Sequence, residues 1–223
     1  MTWLTWRQFR TQTWVAIAAL AVLAAALAAT AGSLAHMHTG SGLPTCVANN
    51  DCEYARTVFL SQALLGVTGM LYWAGVVVMF VAPGLIGAFW GAPLISRELE
   101  TGTYRLAWNQ SVTRSRWLAT KLGLLGAAGM TTAGLFSLMV TLWSGHIDHA
   151  QANRFNPVFF ATRGIVPIGY AAFAFVLGVV AGLLLRRTVP AMAVTLAVFA
   201  AVQIAMPLAV RPHLIPPGTT PPR

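Results

Sequence analysis

Long apolar runs, nearly free of charge, alternate along this chain with short polar connections. The first run, Trp14 to Leu34, has twenty-one residues and no charge. As a helix it is roughly 31 Å long, a match to the ~30 Å hydrocarbon core of a bilayer. Ser33-Leu34-Ala35 resembles a signal-peptide cleavage site, but a signal's apolar region is only about 7–15 residues long, so this run reads as a span. Thr57 to Ser96 is charge-free for forty residues, roughly 60 Å as helix, or twice one crossing. Further runs occur at about 122–144, 164–185 and 188–210.

The forty-residue run is either one long bent span or a hairpin of two. A hairpin would place Arg97 to Lys121 outside, against the tendency of Lys and Arg to stay cytoplasmic. One span at about 62–89 is therefore expected. Pro83-Gly84 should kink it, because proline removes a backbone bond and crowds the preceding turn. The chain thus reads as an all-α integral membrane protein of five transmembrane helices, at about 14–34, 62–89, 122–144, 164–185 and 188–210.

The connections add detail. In residues 1–13, Trp3, Trp6 and Phe9 recur near helical spacing with Arg7 and Arg10 between them, the pattern of an amphipathic helix lying in the membrane interface. The connection 36–56 holds Cys46 and Cys52, the two cysteines of the chain. In an oxidising compartment they would form a local disulfide at the loop tip; otherwise they are two free thiols. His146-x-Asp148-His149 and the pair His36 and His38 have no matching ligand cluster and are weak metal candidates. Phe155, Phe159 and Phe160 around Pro157 suggest a short apolar segment dipping into the outer leaflet. Gln203 is the one strongly polar side chain well inside the fifth span, and such amides usually pair between helices. Residues 211–223 form a proline-rich tail that cannot cross the membrane.

Composition agrees with this reading. Hydrophobic residues make up 57% of the chain and charged ones 9%, against about 25% charged in a soluble domain; mean hydropathy is +0.69. The net charge of +9 is scattered singly and in pairs at span ends, where lipid phosphates and orientation signals want it, so nucleic acid is not the expected partner. With the N-terminus cytoplasmic, nine basic residues fall inside and five outside. No span carries Asp, Glu, Lys, Arg or His near its middle, which argues against a proton relay and an intramembrane enzyme. There is no G-x-x-x-x-G-K-[ST] phosphate loop. Energy for any uphill transport must arrive mechanically from another subunit.

Charge concentrates in one connection, 97–121. It holds five of the fourteen basic residues, Arg97, Arg105, Arg114, Arg116 and Lys121, and two of the five acids, Glu98 and Glu100. Gly102 is placed to stop a helix and Thr103 to cap a new one. On that helix Tyr104 and Trp108 share a face, and Arg105 and Asn109 the neighbouring one; Thr113 can cap the next span. The plainer alternative is a solvated loop whose charges merely fix topology.

The run W-G-A-P-L-I-S-R-E-L-E-T-G-T-Y-R-L-A-W-N-Q-S-V-T-R-S-R-W-L resembles the loop after the second span in type-2 ABC exporter permeases. R-E-L-E-T-G-T is its specific part. The W-R-Q-F-R start and G-V-V-A-G-L-L-L-R-R-T-V-P-A-M are weaker matches. The resemblance implies a non-enzymatic permease subunit in the cell (plasma) membrane, paired with a second permease half as a homo- or heterodimer. It also implies two ATPase subunits that carry the ATP and magnesium, with no cofactor on this chain. Arg97 to Thr113 would be the coupling element, including Thr101 and Arg105. Glu98 and Glu100 would meet basic groups of the ATPase, Gly102 would permit the turn, and Tyr104 and Trp108 would anchor the apolar contact. The implied cargo is a hydrophobic or amphipathic compound such as a drug, an antibiotic or a lipid, to which uncharged spans offer no ion pair. Phe80, Phe136, Tyr170, Phe173 and Phe175 are available to line a path, though helix packing or lipid contact is the commoner role of such residues. A non-transporting anchor or sensor subunit using the same loop is the alternative. The family has six spans with both termini inside; this chain stops after five, outside, and so reads as lacking the last span.

Overall fold

The computed structural model describes residues 2–46, 51–102, 114–151 and 162–206. Its helices are α1 (Thr2–Gly40), α2 (Asp51–Ala63), α3 (Gly66–Ile86), α4 (Ala92–Thr101), α5 (Arg114–Ala150), α6 (Val166–Leu185) and α7 (Thr188–Ala205). A 3-10 turn at Leu43–Thr45 precedes α2, and a π turn at Gly87–Gly91 joins α3 to α4. Among the described residues, five helical stretches are long and apolar enough to cross a membrane: Phe9–Gly40, Gly66–Thr101, Ser115–Ala150, Val166–Leu185 and Thr188–Ala205. They run alternately up and down. One end of the bundle therefore carries Glu98 and Glu100, and the other carries Cys46 and Asp148.

Residues 2–13 continue directly into the first span within α1. No glycine or proline interrupts the chain between Thr2 and Ala31, and two polar side chains at the junction donate to backbone carbonyls. Thr13 Oγ1 donates to Phe9 O at 3.2 Å and Gln12 Nε2 donates to Phe89 O at 3.0 Å. The forty-residue charge-free run breaks once, at Leu64 and Leu65, where Gly66 takes a left-handed φ of 62° before α3 begins. Pro83 lies inside α3, and the hydrogen-bond register changes just past it, in the π turn. A proline deletes one i→i−4 bond, and π turns are a common way to absorb such a defect.

α6 is the centre of the bundle and packs on α3, the π turn, α4, α5 and α7. Its approach to the π turn and α4 is backbone against backbone. A Cβ on Gly178 would collide with Gly87 O and sit 2.8 Å from Ala92 N. One on Gly182 would sit 2.5 Å from Ala92 O, and one on Gly91 would sit 2.6 Å from Phe175 O. Small residues at such crossings are the main route to tight helix packing in lipid, where burial of apolar surface supplies no drive.

Side-chain packing gathers at the two ends. Leu27, Leu34, Phe59, Tyr72, Met79, Trp143 and Ile147 fill the Asp148 end, with Phe80 and Phe136 against them. Phe9, Leu94, Ile95, Leu125, Phe175 and Val179 fill the Glu98 end. Tyr170 meets Phe199 edge-on with ring centroids 6.3 Å apart, and Phe173 is exposed. Many other apolar side chains are exposed, among them Trp14, Val22, Leu142 and Leu184, as expected of helices solvated by lipid tails.

Gly178→Leu is expected to lower stability by about 1–3 kcal/mol or to prevent assembly, because overpacking here must move backbone. Gly123→Ala, where a Cβ meets nothing within 4 Å, should be neutral or slightly stabilising. Thermal unfolding of the two variants in detergent checks the contrast.

Candidate functional site

At the Glu98 end, α4 carries the first half of the charged connection. Gly102 closes the helix in a left-handed conformation, φ 72° and ψ 6°, the geometry that favours glycine after a helix. Arg97 and Thr101 are exposed, and Thr101 Oγ1 donates to Arg97 O at 2.8 Å. Thr103, Tyr104, Arg105 and Trp108 lie outside the described residues.

The two acids are engaged within the chain. Glu98 is buried and forms an ion pair with Lys121 of α5, also buried. Lys121 Nζ lies 4.4 Å from the centroid of the Trp117 ring, a favourable cation–π distance. Among the described residues the second oxygen, Glu98 Oε2, is buried without a hydrogen-bond partner. The pair sits beside Leu94, Ile95 and Leu125, with Leu99, Leu118 and Leu122 at its edge. Removing one member of such a pair strands the other charge, at a cost of about 3–5 kcal/mol.

Glu100 reaches the opposite neighbour. Its Oε2 accepts from Thr188 N at 3.2 Å and from Thr188 Oγ1 at 2.8 Å, at the first residue of α7. The first backbone N–H groups of a helix have no partner inside it, and the helix dipole favours negative charge there. Glu100 thus caps α7 from another element. Ser96, one turn earlier on α4, places its Oγ 3.2 Å from Thr188 Oγ1 and 2.7 Å from Ala92 O. The turn that presents Thr188 is tight: Arg186 takes a positive φ of 54° and its N donates to Gly182 O at 3.1 Å.

Lys121, Thr188, Ser96 and Gln12 are partners that the sequence alone does not assign. For Lys121 a signal is present. Leu118, Leu122 and Leu125 put it on the apolar stripe of its helix, just as Leu94 and Ile95 do for Glu98, and a cation facing inward needs an anion. For Thr188 and Gln12 the partners are 88 and 77 positions away, and nothing local announces them.

The other end holds a second polar network. Asp148 accepts from Tyr72 Oη at 3.0 Å, Ser144 Oγ at 2.6 Å, and Arg163 Nε and Nη2 at 2.8 and 3.4 Å. Gln151 Nε2 donates to Tyr72 Oη at 3.3 Å. His146 packs against His38 of α1, ring centroids 4.6 Å apart, and His38 also meets Phe59. Asp148 is therefore committed to Arg163 and Tyr72. Among the described residues no group of three or more His, Cys, Asp or Glu could hold a metal. Cys46 and Cys52 are bonded to each other, with Cα atoms 5.5 Å apart. The aromatic segment around Pro157 and the tail 211–223 fall outside the described residues.

Asp148→Asn should lower stability by about 2 kcal/mol. That is less than a fully buried pair would lose, because the Asp148 side chain keeps 25% of its exposure. Melting in detergent measures the loss, and Asp148→Glu should recover part of it.

Comparison with known proteins adds one match. A family model described as ABC-2 membrane transporter related covers residues 17–211. No curated protein and no solved structure matches the chain. The described residues form helices and no strand, five helical stretches among them are fit to cross a membrane, and the family match extends over most of the chain's length. The chain belongs to the ABC-2 membrane transporter related family and is a multi-pass permease subunit of an ABC transporter.

Proposed function

We propose that this permease exports a hydrophobic or amphipathic compound (a drug, an antibiotic or a lipid), driven by ATP hydrolysis on partner ATPase subunits that hold the ATP and magnesium. A second permease half, either another copy or a related chain, completes the pathway. The N-terminus and the connection 97–121 face the cytoplasm, and Arg97 to Thr113 is the coupling segment that docks on the ATPase.

The observation that supports this reading most is the anchoring of α4. A segment that receives force must be held stiffly at its base, and α4 is gripped on one side through Lys121 and on the other through Thr188. A loop that only fixed topology would need neither contact. Because Glu98 and Glu100 already have partners, the ATPase contact passes to the residues beyond Gly102. Tyr104 and Trp108 supply its apolar part and Arg105 its charge, together with Arg97, which is exposed on α4. The absence of a charged side chain near the middle of any span suits an uncharged or amphipathic cargo.

Affinity purification of the permease in mild detergent should bring down an ATPase. Trp108→Ala with Tyr104→Ala should reduce the amount recovered at least tenfold, without changing the yield of permease. A cysteine placed at Trp108 should resist a membrane-impermeant maleimide in intact cells and react after permeabilisation. Labelling from outside would overturn the orientation and the docking together.

A further inference from the structure

We infer that Glu98 and Glu100 are positioning residues, which fasten the coupling segment to α5 and α7 so that its displacement carries the α6–α7 hairpin along as a rigid body. The inference rests on the coupling role proposed above and assigns the two acids a task inside the chain rather than at the ATPase surface.

The geometry supports this in three steps. First, α4 is joined to each neighbour at this end by a different kind of contact. Glu98 holds α5 through a buried ion pair whose only described partner is Lys121. Glu100 and Ser96, four residues apart on one face, both reach Thr188 at the start of α7. Gly182 of α6 lies against the backbone of Ala92, and Ala92, Ala181 and Ala191 close the space between the three helices. Second, these contacts have little slack. Sliding α4 along α5 would strand a buried charge, and pulling it from α7 would break the two exposed bonds with which Glu100 caps Thr188. Packed elements of this kind move as units rather than deform. Third, the joint to the rest of the chain lies on the α3 side of the π turn. Gly87 and Gly91 of the turn pack on the backbone of α6, so the turn belongs with α4 and α6, and Pro83 just before it lacks a ladder hydrogen bond, while α3 is tied at its far end by Tyr72 to Asp148. A push on residues beyond Gly102 therefore moves α4 and the π turn about Pro83 and takes the Arg186–Arg187 turn with it.

The test uses the permease co-purified with its ATPase and placed in lipid nanodiscs. Nitroxide labels on cysteines at Trp14 of α1 and Val189 of α7, both exposed, report the hairpin's position, and the native cysteines are bonded to each other. In the wild type, ATP with vanadate should shift the Trp14–Val189 distance. Glu98→Lys and Glu100→Ala should abolish the shift while retaining the ATPase at wild-type stoichiometry and leaving it able to hydrolyse ATP. The double variant Glu98→Lys with Lys121→Glu should restore the shift, which a Glu98 that docked on basic groups of the ATPase would not allow. Should Glu98→Lys fail to fold, Thr188→Val, which removes only the hydroxyl contacts, should reduce the shift at least twofold. Loss of the ATPase from either single variant would mean that the acids dock on the partner, and would overturn the inference. A shift that persists in Glu100→Ala, or is absent from the wild type, would overturn it too. A wild-type permease that retains no ATPase would instead remove the coupling reading itself.

Discussion

The bundle depends on one contact made almost wholly by backbone. Along α6, Ala174, Phe175, Gly178 and Gly182 meet the backbone of Gly87, Gly91 and Ala92. In lipid there is no gain from hiding apolar surface between helices, so adhesion comes from the number of atoms brought to van der Waals distance. Removing side chains from both surfaces is the way to bring most atoms close. It also explains why the π turn sits here. A wider turn pushes its carbonyls outward, and a bare glycine face on α6 can receive them.

Around that contact the polar chemistry is distributed by cost. Ionised groups are expensive in the hydrocarbon, so the pairs Glu98–Lys121 and Asp148–Arg163 lie at opposite ends of the bundle. They do different work. The Asp148 network joins α3, α5 and the residue that leads into α6, and its many donors share one carboxylate. The Glu98 pair has a single described donor and an unpaired oxygen. It depends on Lys121, and the polar part of the attachment of α4 to α5 is correspondingly all-or-none.

Much of this is readable in the residues. Runs free of charge mark all five of the helical stretches that are long and apolar enough to cross, but not their ends: the stretch expected at about 62–89 continues to Thr101, because a helix can run on past the hydrocarbon that sets its minimum length. Basic residues at the span ends resolve the forty-residue run as one crossing rather than two. The break at Leu64 and Leu65 is not readable, since two leucines look like more span and only the left-handed Gly66 marks the turn. Nor is the π turn, because hydropathy does not register which carbonyl a backbone N–H reaches. Pro83 hints at a defect but predicts only a simple kink. At the site, the residue types at 97–102 are evident, but their partners are not. Glu98 looks like a surface acid yet is buried, because a short polar motif carries no sign of which way its helix faces; Glu100 is exposed, and nothing local names Thr188 as its partner. That direction is set by α5 and α7, far along the chain.

The first helix is sparsely packed, and this makes it sensitive to its surroundings. α1 buries few side chains, yet it is fastened at two points, Gln12 to Phe89 O and Thr30 to Trp143 Nε1 at 3.1 Å. Eighteen residues separate them, roughly 27 Å of helix, close to one membrane thickness. Between those bolts Leu23 and Leu27 pack on protein, and most of the helix's other side chains lean on acyl chains. It is a tie rod strung between leaflets, and its tension is set by the lipid around it: a thinner or thicker bilayer changes its tilt, and the change arrives at Phe89, in the middle of the π turn.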